Sequence, residues 1–167
     1  MAETTLQGSV CNTNSSLPEV GNKAPDFTLT NMKLKNQSLG SFEKRWKFIY
    51  SVPSLDTMVC ANTVKKLNEI AVDHDDTDFI VISADLSFAQ QRFCKQNKLK
   101  KITPLSTMRS DQFAIDYGLK LVDGVLEGLL ARAVLIMDEK NDIAYQELVA
   151  DIANEPDFDA AFAILKN

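Results

Sequence analysis

Three short apolar runs, at residues 47–52, 79–84 and 133–138, constrain this chain more than anything else in it. Each has the length and β-branched content of a strand, and none alternates polar with apolar residues. A strand with one wet face alternates; a strand covered on both faces has no polar side to show. The runs therefore require layers above and below a central sheet. Between them the period becomes helical. After Cys60, Val64, Leu67 and Ile70 or Ala71 recur at three to four residues, with Lys65, Lys66 and Glu69 opposite. Ser87 opens Ser-Phe-Ala-Gln, the form of a capping box closed by Gln90, and predicts a helix running through Cys94. Ser110 is placed to cap a helix ending at Gly118, with Phe113, Ala114 and Tyr117 on its apolar stripe. Pro156 precedes Phe158, Ala161, Phe162 and Leu165, which predict a terminal amphipathic helix.

Strands alternating with helices define an α/β protein with a central sheet. Residues 143–149 follow the run at 133–138 and the turn Lys140-Asn141-Asp142, so an antiparallel hairpin is expected there and the sheet should be mixed. Phe27 and Leu29 alternate with Thr28 and Thr30 as in a half-buried strand. The N-terminal third, rich in Thr, Asn, Ser and Gly, predicts a hairpin or edge strands. No polar linker divides the 167 residues, and the length suits one domain over 1–167. At 45% hydrophobic residues the chain can bury an ordinary core.

Charge narrows the partners. The net charge is −5, and no basic face is visible, so neither nucleic acid nor anionic lipid is an expected partner. Residues 1–14 have neither the basic start nor the apolar core of a signal peptide. The apolar runs fall far short of the ~20 residues of a membrane span. The expected setting is cytoplasmic, where cysteine pairing is transient chemistry rather than a structural staple.

The inventory of reactive groups is small. The single histidine, His74, stands in Asp73-His74-Asp75-Asp76 and reads as a surface residue, which leaves cysteine–histidine catalysis without support. Cysteines at 11, 60 and 94 lack zinc-site spacing, and no Gly-rich phosphate loop is present. No metal and no cofactor are expected. Cysteine chemistry without histidine remains. Cys60 follows a strand and a short loop, with Thr57 as a plausible N-cap, so it falls in the first turn of a helix. Unpaired N–H groups and the positive dipole end favour a thiolate there, and the Thr57 hydroxyl is within reach of the sulfur. Taken alone, such a cysteine is more often a small core residue. Arg132, between Leu129-Leu130-Ala131 and the run at 133–138, is a charge at the start of a core strand. It needs an anionic or polar partner, either a salt bridge or the thiolate.

Pro53-x-x-x-Thr57-x-x-Cys60 resembles the active-site motif of peroxiredoxins. The longer strings PSLDTMVC, ISADLSFAQQRFC ending at Cys94, LSTMRS, GLLARAV and EPDFDAAFAILK are similar to the bacterial thiol peroxidases, the atypical two-cysteine branch of that family. The likeness runs from about Leu17 to Leu165. It implies a thioredoxin-like fold carrying an N-terminal β-hairpin extension at about residues 1–17, and a homodimer. It implies a peroxidase that reduces hydrogen peroxide and organic hydroperoxides, with Cys60 as peroxidatic and Cys94 as resolving cysteine. Thr57 and Arg132 would activate Cys60, Pro53 would shield it, and thioredoxin would reduce the resulting disulfide. Leu55, Met58 and Met108 are candidates for the substrate-pocket wall. Ser87 stands where the branch commonly has proline, and Cys11 has no place in the catalytic pattern. Two rivals remain open on sequence grounds. A disulfide oxidoreductase would want C-x-x-C where Thr57-x-x-Cys60 stands, and a redox sensor would share the first chemical step without turnover.

Overall fold

The computed structural model describes residues 1–166. In chain order its elements are β1 (Glu3–Leu6), β2 (Ser9–Asn12), β3 (Thr28–Asn31), β4 (Asn36–Ser38), β5 (Trp46–Ser51), α1 (Met58–Ile70), β6 (Thr77–Ser83), α2 (Ser87–Gln96), β7 (Ile102–Ser106), α3 (Gln112–Asp116), β8 (Ala133–Met137), β9 (Ile143–Leu148) and α4 (Phe158–Leu165). Seven strands form one sheet in the order β4-β3-β7-β6-β5-β8-β9. The three apolar runs are its adjacent strands β6, β5 and β8. Strands β5, β6 and β7 are parallel, with α1 and α2 as the crossovers that parallel neighbours require. The other pairs are antiparallel, so the sheet is mixed.

Both faces of the sheet are covered. Phe48, Tyr50 and Val52 point to the side where α1 supplies Cys60, Val64 and Leu67, and α4 supplies Phe158, Ala161 and Leu165. Ile49, Ile80, Ile82 and Leu135 point the other way, against Phe113, Tyr117 and Cys11. Truncating a fully buried residue such as Leu67 to alanine would cost about 2–5 kcal/mol. The expected α/β fold of thioredoxin-like type is present, mixed sheet and flanking helices included.

The N-terminal hairpin is present as a separate two-stranded sheet, β1 with β2. Its two-residue turn has positive φ at both Gln7 (51°) and Gly8 (83°), the geometry that matches strand twist in tight hairpins. Asp151, after β9, holds the hairpin in place. Its carboxylate accepts from the Thr5 hydroxyl at 2.8 Å and from the N–H groups of Gln7 and Gly8 at 3.1 and 3.0 Å. Together with the Ala153 N–H, these donors hold the carboxyl down at about 2.

Three local expectations are corrected. Ser87 is the first residue of α2 rather than its cap, and no capping box forms. Ser87 and Gln90 are fully buried, and Ser87 Oγ and Gln90 Nε2 turn to tertiary partners. Ser87 Oγ faces Met108 Sδ at 3.7 Å, and Gln90 Nε2 donates to Ser83 Oγ and the Leu105 carbonyl at 3.1 and 2.9 Å. The helix expected from Ser110 is shorter, with Asp111 at its N-cap, although Ser110 Oγ still accepts from the Gln112 N–H at 3.1 Å. Gly118 follows it with φ +67°, and a Cβ there would lie 2.2 Å from the Ser16 carbonyl oxygen, so both conformation and space demand glycine. Thr30 breaks the expected alternation because it is buried, paired with Ser106 of β7. That strand escapes a reading by pattern because it contains Pro104. Its β3 partner reaches only Leu105 and Ser106, so the missing N–H interrupts no bond on that side.

Candidate active site

The strand–loop–helix passage from β5 into α1 ends with Cys60 as the third helical residue, with no exposed surface. The α1 hydrogen-bond ladder begins with the Ala61 N–H donating to the Thr57 carbonyl at 2.9 Å. The N–H groups of Met58, Val59 and Cys60 therefore lie outside it and contribute the positive end of the helix dipole beside the sulfur. Thr57 is the N-cap by position, with extended backbone, but its hydroxyl makes no cap bond. It donates to the Ser54 carbonyl at 3.2 Å instead of to the sulfur, across a turn in which the Thr57 N–H donates to the same carbonyl at 3.3 Å.

Arg132 answers the question its sequence posed. It is 2% exposed at the entry to β8, and its guanidinium spends its donors in three directions. Nη2 donates to Cys60 Sγ at 3.1 Å, Nη1 to Tyr50 Oη at 2.6 Å, and Nε to the Ile152 carbonyl at 2.7 Å. Burial alone would favour loss of its proton, but the facing Tyr50 and Cys60 outweigh that and hold the proton more firmly. Burial likewise pushes the Tyr50 hydroxyl up to about 12, with Arg132 pulling against it, so Tyr50 is a neutral prop for the guanidinium. Ser51 Oγ donates to the Ala131 carbonyl at 2.8 Å, tying the end of β5 to the segment that delivers Arg132. The site is a buried cation fixed on a buried sulfur.

A cavity of about 290 Å³ opens beside this pair, and Pro53, Thr57, Met58, Val59 and Arg132 line it together with Leu6 and Gln7 of the hairpin. Of the three residues expected on the pocket wall, Met58 is there. Leu55 is 3% exposed and packs into the same core cluster as Cys60, while Met108 lies against Ser87. Cys94 is buried in the last turn of α2 and borders a different groove, with Lys95, Lys98 and Leu99. Desolvation pushes its thiol up to about 11. Cys60 and Cys94 are both free thiols. Cys11 is buried too, its sulfur 3.7 Å from the Ser9 carbonyl, while His74 stacks on Phe162 at 5.9 Å beyond the far end of α1. Sequence reasoning missed Tyr50 and the Ile152 carbonyl. A tyrosine inside an otherwise apolar core run was the available signal for the first, since its buried hydroxyl needs a partner.

A sheet of this topology with a thiol at the N-terminus of its first crossover helix and no paired C-x-x-C defines a thiol-based redox enzyme of the thioredoxin-like class. Comparison with known proteins agrees. The family described as Redoxin matches residues 19–162. Proteins named thiol peroxidase from Corynebacterium glutamicum and Mycobacterium bovis are each 42% identical over 165 residues, covering 99% of this chain and 99% of theirs. The crystal structure of a peroxiredoxin-like protein from Aquifex aeolicus superposes with a TM-score of 0.93 at 34% identity, covering 99% of this chain and 96% of that one. The chain belongs to the redoxin family, among its thiol peroxidases, and is a peroxidase that reduces peroxides with thiol electrons.

Proposed function

We propose that Cys60 is the peroxidatic cysteine and Cys94 its resolving partner in an intramolecular disulfide cycle. The observation that carries this reading is the 3.1 Å contact from Arg132 to the Cys60 sulfur; among the described residues no cation donates to the sulfur of Cys11 or Cys94. The Cys60 thiolate attacks one peroxide oxygen. An S–O bond forms, the O–O bond breaks, and the departing alkoxide or hydroxide takes up a proton, leaving Cys60 as a sulfenic acid. Negative charge moves from sulfur towards the leaving oxygen, so donors fixed at the sulfur are worth most during the transfer. Each is worth on the order of 3–4 kcal/mol if it acts as an oxyanion-hole donor does. Pro53 walls off the pocket, and Thr57 with Arg132 orients the peroxide.

The Cys94 thiol then attacks the sulfenic sulfur, water leaves, and the disulfide closes. Two thiol–disulfide exchanges with an external dithiol restore both cysteines. Likeness to the family supports thioredoxin as that dithiol, a homodimer as the working unit, and a cytoplasmic setting. The mostly apolar lining of the pocket favours organic hydroperoxides alongside hydrogen peroxide. The test is thiol counting and peptide mapping of reduced protein after one equivalent of cumene hydroperoxide. Loss of two thiols with a linked Cys60–Cys94 peptide and free Cys11 is the expected result. A Cys60 that stops at sulfenic or sulfinic acid removes the role of Cys94, and an unreacted Cys60 removes the reading altogether.

A further inference from the structure

Asp85 takes no part in the chemistry above, yet its half-buried carboxylate gathers donors from the loop that leads to Cys60. Oδ1 accepts from the Ser54 hydroxyl at 2.6 Å; Oδ2 accepts from the Leu55 N–H and the Ser83 hydroxyl, both at 2.7 Å. Ser54 Oγ in turn accepts from the Asp56 N–H at 3.1 Å. The loop leaves the sheet after the Val52 N–H bonds the Ile82 carbonyl at 3.0 Å. Beyond that point Asp85 supplies the loop's hydrogen bonds to the body of the protein among the described residues. Asp85 is itself held, since the Ser106 hydroxyl donates to its main-chain carbonyl. Ser83, one of its partners, also accepts from Gln90 Nε2 on the helix that carries Cys94. A three-donor carboxylate is a stiff anchor, because charge-assisted hydrogen bonds are about twice as strong as neutral ones.

We propose that Asp85 is a positioning residue for the peroxide step: it sets where Pro53 and Thr57 stand relative to the Cys60 sulfur, without touching the peroxide. The proposal rests on Cys60 as the attacking group. The Arg132 clamp reaches Cys60 from Tyr50, β8 and Ile152, none of which bonds Asp85. Loss of Asp85 therefore separates two properties of one sulfur. Attack on a peroxide, which needs two oxygens aligned in the pocket, slows. Alkylation by iodoacetamide, which needs the thiolate but not that alignment, does not. A misplacement of about 1 Å costs up to ~100-fold in such reactions.

The test compares pre-reduced wild type, Asp85→Asn, Ser54→Ala, the double variant and Cys60→Ser. Stopped-flow rates with cumene hydroperoxide are set beside iodoacetamide labelling of Cys60, read by peptide mass. Asp85→Asn should lower the peroxide rate constant about tenfold and Ser54→Ala about threefold, with Cys60 labelling of both within about twofold of wild type. The double variant should match Asp85→Asn alone, because the two residues act through one contact. Peroxide rates within twofold of wild type in both single variants would overturn the proposal, as would peroxide and labelling rates that fall together. Full additivity in the double variant would do the same. A Cys60→Ser protein that reacts with peroxide like wild type would instead overturn the assignment of Cys60, on a separate arm of the experiment.

Discussion

Cys60 and Cys94 are both buried thiols on crossover helices of one sheet, and almost everything around them is opposed. Cys60 sits in the first turn of a thirteen-residue helix, at the positive end of its dipole, with Arg132 on the sulfur. Cys94 sits in the last turn of a ten-residue helix, at the negative end, and burial has pushed its thiol up to about 11. The end of α2 is also a costly one. Leu99 N–H caps the Cys94 carbonyl at 2.9 Å through a turn that puts Lys98 at φ 54°, a left-handed conformation with a side chain present. In the cycle proposed above, the difference separates a sulfur armed where it lies from one that is stored and has to be released. A disulfide between them, as the proposed cycle requires, needs Cα atoms within about 7 Å, whereas Cys94 borders one groove and Arg132, on the Cys60 sulfur, lines a separate cavity. In the proposed cycle the movement falls to the side that is cheaper to open, the end of α2.

The contrast breaks most sharply at Arg132. Arg132→Met should slow the reaction of reduced protein with cumene hydroperoxide on the order of 100–1000-fold, measured by stopped flow. A loss below tenfold would mean that the helix terminus arms Cys60 almost unaided. Next comes the proton on Cys94. Burial raises its folded-state value to about 11, above the ordinary value that returns when α2 opens. The closed form therefore holds the proton through that window. Its stability is full at neutral pH, declines as pH rises above about 8.5, and levels off beyond about 11. In a Cys60→Ser background, Cys94 labelling by iodoacetamide should trail an unfolded control by at least about tenfold at neutral pH and keep rising towards pH 11. A labelling curve that levels near 8.5 would remove the storage argument. The smallest effect sharpens the comparison. Lys98→Gly relieves the left-handed residue, worth about 1 kcal/mol, and should lengthen the life of the Cys60 sulfenic acid about twofold to fivefold, read by dimedone trapping.

The parts of this molecule legible in its sequence are those where one residue type has one physical use. The runs without alternation became the adjacent strands β5, β6 and β8 because a doubly covered strand has no other way to look. Arg132 announced itself because a permanent charge in an apolar run must be paid for by a partner, and Tyr50 and Cys60 are such partners. What stayed hidden were residues with several possible uses. Ser87 and Gln90 have the spelling of a capping box, yet burial against β7 turned them to tertiary partners. Thr57 stands within sequence reach of the sulfur, yet a carbonyl three residues back takes its hydroxyl. Asp85 looks like any loop acid until the fold brings Ser54, Leu55 and Ser83 around it. The Ile152 carbonyl has no sequence signal at all, since every residue carries one.

The clamp on Cys60 also has an order of assembly. Arg132 follows Cys60 by 72 positions, and Asp151, which pins the hairpin wall of the pocket, follows Thr5 by 146. On the ribosome, Cys60 emerges long before the cation that its sulfur meets in the fold. The hairpin, made first, waits for nearly the whole chain before it can dock. A nascent chain thus carries a thiol without its cation, and on the proposed role of Cys60 the heightened reactivity towards peroxide arrives together with completed folding. The long-range contacts that make this topology slow to form are the same ones that bring the cation to the sulfur.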